Sequence, residues 1–411
     1  MTTGWGYSTI GAQFDVQLGK MLDAAKNSGE LKPYIGNRAV QWGRIDATAG
    51  SVVPMSRADQ QRYRLRSGDL LVCEGGEVGR AAIWRDQLPE CYYQKALHRL
   101  RPRSGYDVRL MQALLDYWAS IDGFCDYVTQ TSIAHLPREK FVSIPLPMPS
   151  PEEQRRIGDV LDDADDAIAA LDRLIAKKQA IKQGLMQQLL TGRTRLPGFS
   201  GSWTDVKLGD YVTYIKAVAL SRAQLDLSSP LRYLHYGDIH TRDAVRLDAS
   251  QEPMPRAATA LAGRAGRLQR GDLVFADASE DPDGVGKSVE ITSVPPEGVV
   301  PGLHTIAARF DRSVFADGFK AYLQFIPMFR EQLLRLAAGT KVLATTRTYI
   351  SSVTLPLPGV EEQRAIATVL RDAEDEIEKL GARLTKAKAL KAGMMQQLLT
   401  CRVRLPAEVA S

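Results

Sequence analysis

Few residues of this sequence have the type and spacing that chemistry needs. The segment from Asp281 to Ser288 ends in Gly286-Lys287-Ser288, like a phosphate-binding loop. Such a loop needs a glycine where Asp281 stands and a helix directly after it, so that the helix N-terminus meets the phosphates. Here residues 289–294 alternate as in a strand, and prolines follow them. We therefore expect no ATP site, and Lys287 is interpreted as a loop residue or a DNA contact.

Methyl transfer, DNA cleavage and metal binding are also weakly supported. An adenine methyltransferase carries an Asn/Asp-Pro-Pro-aromatic motif and a glycine-rich cofactor loop, and Val294-Pro295-Pro296-Glu297 is not equivalent. Glu139-Lys140 lacks the upstream strand motif of a nuclease site. The four cysteines contain no Cys-x-x-Cys pair, and the five histidines show no zinc-ligand spacing. The sequence predicts a non-catalytic protein without metal or cofactor.

Composition and charge narrow the class of protein. The chain has 411 residues, of which 44% are hydrophobic and 25% charged, so it has room for two or three folded domains. Its net charge of +5 would permit a polyanionic partner, because each neutralised phosphate releases counterions. Neither a leader-like N-terminus nor a run of about 18 apolar residues is seen, and a cytoplasmic protein without membrane contact is expected.

The strongest feature of the sequence is a long internal repeat. One copy contains Leu146-Pro147-Met148-Pro149, Glu152-Glu153-Gln154-Arg155, Met186-Gln187-Gln188-Leu189-Leu190-Thr191 and Arg195-Leu196-Pro197. At a constant offset the other contains Leu355-Pro356-Leu357-Pro358, Glu361-Glu362-Gln363-Arg364, Met395-Gln396-Gln397-Leu398-Leu399-Thr400 and Arg404-Leu405-Pro406. The prolines stop a preceding strand, and paired glutamates suit the positive end of a helix dipole. Long helices are predicted to start near Pro151 and near Val360.

The two predicted helices should pack on each other. Apolar residues recur at steps of four and three, which is typical of a coiled-coil seam. The seam residues are Ile157, Leu161, Ala164, Ile168, Leu171 and Ile175, and then Ile366, Leu370, Ala373, Ile377, Leu380 and Leu384. Both copies leave the heptad where Lys182 and Lys391 take seam positions, and Ile181 and Leu390 are expected to carry the apolar side chain instead. Each helix is acidic in its first half and basic in its second, so antiparallel packing would pair opposite charges.

The segments before the helices repeat more weakly. Tyr34-Ile35 resembles Tyr233-Leu234, Gly68-Asp69-Leu70 resembles Gly271-Asp272-Leu273, and Gly79-Arg80 parallels Gly286-Lys287. Short apolar runs bounded by Gly and Asp indicate strands, and one helix per segment is expected, at 108–121 and 319–337. The predicted fold class is α+β. Two strand-rich domains, 1–149 and 198–358, are separated by long helices within 150–197 and 359–411, which form an antiparallel coiled coil with pseudo-two-fold symmetry.

In their order and duplication these motifs resemble the specificity subunits of Type I restriction-modification systems, over essentially the whole chain. The resemblance implies that each strand-rich domain is a target recognition domain, which reads one half of a bipartite, asymmetric sequence in double-stranded DNA. It also implies that the helices set the spacer and dock two methyltransferase subunits. Restriction and motor subunits would join through that complex, in defence against foreign DNA.

Polar residues on the shared loops are the candidates for DNA contact. Arg and Lys can reach guanine or phosphate, and Asn and Gln can pair with adenine. The candidates are Asn37, Arg38, Gln41, Arg80, Thr131 and Ser132 in the first domain, and Tyr236, Asp238, Lys287, Lys341, Thr346 and Arg347 in the second. For each of them the alternative is a solvated loop residue.

Gln154, Arg155, Gln363 and Arg364 have two interpretations. They belong to the surface that meets a methyltransferase subunit, or they form a local capping and i,i+4 network at the start of each helix. For the whole chain, the alternative function is a coiled-coil scaffold that binds proteins rather than specific DNA. Two different strand-rich domains of nearly equal size argue against that alternative.

Overall fold

A computed structural model of the protein describes residues 4–23, 25, 27–130, 134–226, 228–279, 281–337 and 343–406. The chain divides into two compact units. Unit 1 comprises residues 1–173 and 381–411, and unit 2 comprises residues 174–380. Each unit thus contains one strand-rich domain and half of each long helix. None of the helices within the described ranges is long and apolar enough to cross a membrane.

The strand-rich part of unit 1 is built from short elements. They are β1 Gly6–Thr9, α1 Ile10–Gln13, β2 Phe14–Leu18, β3 Glu30–Ile35, β4 Val40–Gln41, β5 Arg44–Ile45, β6 Ser51–Met55, α2 Arg57–Tyr63, β7 Leu70–Cys73, β8 Ala81–Ile83, β9 Tyr92–Tyr93, β10 Leu97–Pro102, α3 Val108–Ser120, β11 Thr129–Gln130, β12 Ala134–His135, α4 Arg138–Ser143 and β13 Pro145–Met148, with 3-10 turns at Asn37–Ala39 and Ala47–Ala49. The long helix α5, Pro151–Leu189, follows directly.

Unit 2 repeats this plan. Its strand-rich part contains β14 Thr204–Lys207, β15 Val212–Ile215, β16 Arg232–Leu234, α6 Tyr236–His240, β17 Arg246–Asp248, α7 Thr259–Ala262, β18 Leu273–Ala276, β19 Ala278–Ser279, β20 Ser288–Ser293, β21 Val299–Pro301, β22 Thr305–Phe310, α8 Pro327–Ala337, β23 Leu343–Ala344, α9 Arg347–Ser352 and β24 Thr354–Leu357, with 3-10 turns at Leu208–Tyr211, Arg222–Gln224, Pro282–Gly284 and Lys320–Phe325. The second long helix, α10, spans Val360–Leu398. The predicted α+β class and both predicted helix starts are confirmed.

The sheets of the two units have matching strand orders. In unit 1 the main sheet runs β2-β10-β7-β8, and in unit 2 it runs β15-β22-β18-β20-β17. The corresponding strands are antiparallel in both sheets, and the extra strand β17 joins β20 in parallel. A second parallel pair also recurs, as β3 with β9 and as β16 with β21. The weak sequence repeat therefore corresponds to a repeated fold.

Two fully buried strands account for the apolar runs from which strands were predicted in the sequence. β7 and β18 are the central strands, and every residue of each is buried. Such strands are continuous apolar runs rather than alternating ones. The strand β20 after Lys287 begins at Ser288, so the prediction of a strand instead of a phosphate-loop helix is confirmed.

One expected helix is interrupted. Residues 319–337 form the 3-10 turn Lys320–Phe325 and then α8, which begins at Pro327. Proline has no N–H to continue a preceding helix and disfavours helical geometry at the residue before it, whereas its fixed φ suits the first turn of a new helix. The expected helix of the first domain is α3 and ends one residue before its predicted limit.

Within each unit the two helix segments pack side by side. In unit 1, Ile157 and Leu161 of α5 share a buried cluster with Met395, Leu398 and Leu399 of α10. In unit 2, the same motif positions cluster as Ile366 and Leu370 with Met186, Leu189 and Leu190. In both clusters the start of one helix meets the end of the other, so the paired segments run antiparallel within the unit.

The lysines at the interrupted heptad lie between the helices. Lys391 pairs with Asp165 at 2.6 Å in unit 1, and Lys182 pairs with Glu374 at 3.2 Å in unit 2. The expectation that Ile181 and Leu390 replace the lysines in the seam is wrong, because these apolar side chains are 45% and 62% exposed. A lysine stem can pack in the seam while its ammonium reaches an acid of the facing helix, so no apolar substitute is needed.

Candidate nucleic-acid interface

The Gly-Asp-Leu motif has the same structural role in both units. Asp69 is buried, and Arg101 of β10 donates two hydrogen bonds of 2.7 Å to its carboxylate. Asp272 is also buried, and Arg309 of β22 donates to it at 2.8 and 2.7 Å. A bidentate arginine offsets the cost of burying a carboxylate. The motif therefore joins the central strand to its neighbour.

Arg80 and Lys287 occupy equivalent positions and make equivalent contacts. Arg80 Nη2 donates to the carbonyl of Asn37 at 3.0 Å, and its Nη1 donates to Glu77 at 3.1 Å. Lys287 Nζ donates to the carbonyl of His240 at 2.7 Å. In each unit the cation thus fixes the short helical segment that follows β3 or β16. Because these cationic groups are engaged within the fold, the geometry favours a positioning role for both over direct contact with a base.

The first candidate loop of unit 1 offers one free cation. Asn37 Nδ2 donates to the Gly75 carbonyl at 3.1 Å, and its buried Oδ1 has no hydrogen-bond partner in the described structure. Gln41 Nε2 donates to the carbonyl of Arg38 at 2.8 Å. The Arg38 side chain is exposed. Of the candidates on this loop, Arg38 is therefore the one most available to a ligand.

The corresponding segment of unit 2 is aromatic. The ring of Tyr236 lies 4.4 Å from that of His235, 5.4 Å from that of His304 and 6.0 Å from that of His240. Asp238 accepts the His235 backbone N–H at 2.9 Å and so caps α6. Burial raises the pKa of Asp238 and lowers that of His235. Asp238 therefore supports the helix, whereas the half-buried Tyr236 presents the distinctive surface of this segment.

The last candidates of unit 2 lie at the start of α9. Thr346 accepts the Tyr349 backbone N–H at 3.1 Å and caps this helix. Arg347 is exposed, and its guanidinium lies 5.6 Å from the centre of the Tyr214 ring. The Tyr214 hydroxyl also donates to the Arg347 carbonyl at 2.8 Å. Thr131, Ser132 and Lys341 lie outside the described residues.

In each unit the candidate segments converge. In unit 1, Gly75 accepts the hydrogen bond of Asn37 and forms a β-bridge with His135. In unit 2, a hydrogen bond of 2.8 Å joins the carbonyl of Ala278 to His240 Nε2, and Ala278 pairs with Ala344 of β23. The loop after the β3 or β16 strand, the turn after the central strand and the segment before α4 or α9 therefore share one side of each domain.

Three side chains at these sites were not among the candidates predicted from the sequence. Trp42 is 39% exposed and donates its Nε1–H to Glu77 at 3.2 Å, beside the candidate Gln41. His240 and His304 come from distant segments, and only the fold brings them to one tyrosine. Trp42 directly follows Gln41, and this neighbouring position is the signal by which it could have been predicted.

The glutamines of the Glu-Glu-Gln-Arg motif bind the strand-rich domain that precedes each helix. Gln154 is 4% exposed, accepts the Asp107 N–H at 2.9 Å and donates to Pro149 at 3.0 Å. Gln363 is 1% exposed and accepts the Ala316 N–H at 2.9 Å, while its amide donates to Val314 and Pro358. Both amides are therefore used within the chain, which favours the local interpretation of these two residues.

The arginines of that motif are different. Arg155 is exposed and its Nε donates to the Pro151 carbonyl at 3.4 Å, while Arg364 is exposed and pairs with Glu361 on the same helix. Exposed pairs of this kind contribute little to stability. These two side chains are free to meet a partner, and that role stays a prediction.

The motifs at the two ends of the repeat bind each other. Glu153, of the Glu-Glu-Gln-Arg motif, pairs with Arg404, of the Arg-Leu-Pro motif, at 3.7 Å in unit 1. In unit 2 the corresponding pair is Glu362 and Arg195 at 2.5 Å. Each pair joins a motif of one copy to a motif of the other copy. The duplication of these motifs is therefore explained by their mutual contact.

A duplicated α+β domain, each copy followed by a long helix, defines a class with known members. Residues 3–183 match the family model for the Type I restriction modification DNA specificity domain. This match confirms the predicted resemblance to the specificity subunits of Type I restriction-modification systems.

Two relatives and one solved structure are also similar to this chain. The chain is 22% identical over 410 residues to the type I restriction enzyme MjaX specificity subunit of Methanocaldococcus jannaschii, covering 93% of this chain and 90% of the relative. It is 24% identical over 301 residues to the MjaVIII specificity subunit of the same organism, covering 67% and 66%. The crystal structure of the S subunit of a Type I system from M. genitalium matches with a TM-score of 0.60 at 12% identity, over 97% of both chains.

Proposed function

We propose that each strand-rich domain reads one half of a bipartite DNA target. This proposal rests on the observation that the two units share a backbone framework but present different polar residues on it. Both units use the same strand order and the same buried cation-to-carbonyl contact behind the segment after β3 or β16. That segment offers Asn37 and Arg38 in unit 1 but Tyr236 in unit 2. A constant frame with variable polar residues is suited to reading two different base sequences.

The long helices are proposed to set the spacing between the two half-sites. Ion pairs between α5 and α10 support this, since they join equivalent positions in the two units, as Asp165 with Lys391 and as Lys182 with Glu374. An antiparallel coiled coil of the two helices would relate the two readers by a pseudo-two-fold axis. Paired readers of this kind recognise half-sites at a fixed separation.

Methylation and cleavage are proposed to come from partner subunits. Two methyltransferase subunits would dock on this chain, and restriction and motor subunits would join through them. Apolar side chains left exposed on the helix segments support a docking role: Leu174 and Ile181 in unit 2, and Leu390 in unit 1. With Arg155 and Arg364 they are the proposed contacts, since the buried amides of Gln154 and Gln363 are used within the chain.

Co-expression with a methyltransferase subunit, followed by sequencing of methylated adenines in the host DNA, tests this function. The expected result is one bipartite methylated motif, of which a single half changes when residues 1–149 are exchanged for another domain of the family. Absence of new methylation despite a stable complex would favour the protein-binding scaffold. A DNA titration at two salt concentrations gives independent evidence, because a scaffold would show little salt dependence.

A further inference from the structure

An acidic cluster closes the junction between α3 and α5 in unit 1. The guanidinium of Arg109 pairs with Asp107 at 2.7 Å and with Asp159 at 2.5 Å, and it lies 3.6 Å from Asp162. One arginine and three carboxylates thus occupy the junction between α3 and α5. Arg109 also lies against Gly158, where a Cβ would come within 3.0 Å of the guanidinium carbon.

All four charged positions of this cluster are replaced in unit 2. At the offset that relates Gln154 to Gln363, Asp107 corresponds to Ala316 and Arg109 to Gly318. On the helix, Asp159 corresponds to Thr368 and Asp162 to Arg371. The correspondence is structural as well, because Gln154 accepts the Asp107 N–H and Gln363 accepts the Ala316 N–H. At these positions unit 2 therefore has none of the three carboxylates, and Arg371 stands in place of one of them.

Unit 2 has a cavity of about 500 Å³ at this place. Ala316, Gly318, Thr368 and Arg371 all line it, and so do four further arginines, Arg246, Arg270, Arg312 and Arg364. The acids in the lining are Glu290 and Asp317. Both contact the buried Lys320, at 3.8 and 2.6 Å. Among the residues that line the open space, five arginines therefore face two acids.

The arginines of the cavity are held to different degrees. Arg246 is fixed by Asp375 at 2.7 Å and by Glu374 at 3.5 Å. Arg312 and Arg371 make only long contacts, to Asp317 at 3.5 Å and to Asp372 at 4.0 Å. Arg364 pairs with Glu361, which is itself mostly exposed. For Arg270 no carboxylate lies within 4.0 Å among the described residues. Exposed pairs of this kind are weak, so these side chains can turn to an anion at little cost.

We propose that this cavity of unit 2 binds a phosphate group. Several guanidinium forks converge on one space, and each can donate two parallel hydrogen bonds to phosphate oxygens. The hydroxyl of Thr292 adds a neutral donor in the same lining. The volume suits a phosphate-bearing small molecule, and a phosphate of the DNA backbone has the same chemistry. The site goes beyond the reading of half-sites and does not depend on it.

Calorimetric titration of the full chain with inorganic pyrophosphate tests the proposal, at constant ionic strength without divalent metal. The informative variant is Arg371→Asp, which introduces the residue that unit 1 has at this position. Its matched control is Arg383→Asp, the same charge change at an exposed position of α10 outside the cavity. We expect Arg371→Asp to weaken pyrophosphate binding by at least tenfold, and Arg383→Asp to change it by less than twofold.

A second variant guards against misfolding. Thr368→Asp introduces the unit 1 residue at an exposed position and should also weaken binding, while the melting temperature without ligand stays near that of the wild type. No saturable binding of pyrophosphate to the folded wild type would overturn the proposal. Equal losses in Arg371→Asp and Arg383→Asp would overturn it too, since they would reflect net charge alone.

The source of the phosphate is distinguished by duplex DNA. If a backbone phosphate occupies the cavity, Arg371→Asp lowers the salt dependence of DNA binding by about one counterion relative to Arg383→Asp, and pyrophosphate competes with DNA. If a small molecule is bound, DNA binding is the same in both variants and pyrophosphate binds alongside DNA. Both results support the site. Absence of a methylated motif for the wild type would count against the proposed function and would leave this titration unaffected.

Discussion

Single residues of the two strand-rich domains divide into those that position a loop and those that are exposed and proposed to contact DNA. Arg80 and Lys287 belong to the first group, since each donates to a backbone carbonyl of the candidate segment. Arg38 and Arg347 belong to the second, since both side chains are exposed. This division gives different predictions for arginines that look alike in the sequence.

Arg38→Ala and Arg347→Ala should each affect one half of the target. Loss of a base contact costs about 1–3 kcal/mol at one position of a half-site, so sequence preference should relax there while the other half is unchanged. The methylated motif of each variant, obtained from co-expression with a methyltransferase subunit, measures this. The two variants serve as controls for each other, and a uniform loss across both halves would indicate a phosphate contact instead.

Arg80→Met should act through the segment that it holds. The change removes the guanidinium that donates to the Asn37 carbonyl and leaves only the weaker Cys73 thiol at 3.9 Å, and loss of a hydrogen bond to a charged group costs about 1.5–3 kcal/mol. We expect faster amide exchange in the Asn37–Ala39 turn and a relaxed first half-site, with partial recovery in Arg80→Lys. Unchanged exchange in that turn would contradict the positioning role. Lys287→Met is the matched variant of unit 2 and should affect only the second half-site.

Glu290 gives unit 2 a dependence on pH. Burial raises the pKa of its carboxyl to about 7, although Lys320 and the N–H groups of Gly318 and Ala321 oppose this shift. An acid whose pKa is higher in the folded state than in the unfolded chain favours folding when protonated, so stability should fall as pH rises from about 4.5 to about 7. Urea unfolding across this range should show a smaller slope for Glu290→Gln. An identical slope in both proteins would exclude this group as the cause.

At the scale of elements, the glutamines of the repeat join each long helix to the strand-rich domain that precedes it. Gln154 satisfies two backbone groups and Gln363 satisfies three, so Gln363→Met should destabilise the protein more than Gln154→Met. Each orphaned buried group costs about 1–3 kcal/mol. The midpoint of urea unfolding measures both, with Gln187→Met at an exposed position of α5 as the control. Equal effects of all three changes would contradict the role of the motif.

The helices and loops also show how much of the structure could be predicted from the sequence. Helix starts at Pro151 and Val360 were predictable, because proline and paired glutamates act locally on the first turn. The exposure of Ile181 and Leu390 was not, because the charge pattern predicts acids opposite Lys182 and Lys391 but does not show that the lysine stems themselves pack in the seam. The contacts of Arg80 and Lys287 with backbone carbonyls were not predictable either, because they join segments that are distant in the sequence. The type of a residue shows which groups it can bind. Only the three-dimensional structure shows which groups of the protein it already contacts.

At the scale of the whole molecule, the two copies have equivalent helix contacts but differ in the surfaces that are proposed to read DNA. The pair Asp165 with Lys391 and the pair Glu374 with Lys182 join the same two positions of the repeat. A chain that carries residues 1–197 twice would therefore keep an acid opposite each of these lysines. It would also keep Glu153 opposite Arg195, which corresponds to the existing contact with Arg404.

Such a duplicated chain should direct the partner subunits to methylate an inverted repeat. Two identical readers related by a two-fold axis require two identical half-sites in opposite orientation, because the symmetry of a target follows that of its reader. Sequencing of methylated adenines after co-expression should return a motif in which both halves equal the half-site assigned to residues 1–149 by domain exchange. A folded duplicated chain that still directs methylation to an asymmetric motif would contradict both the proposed two-fold relation of the copies and the proposed division of the target between them.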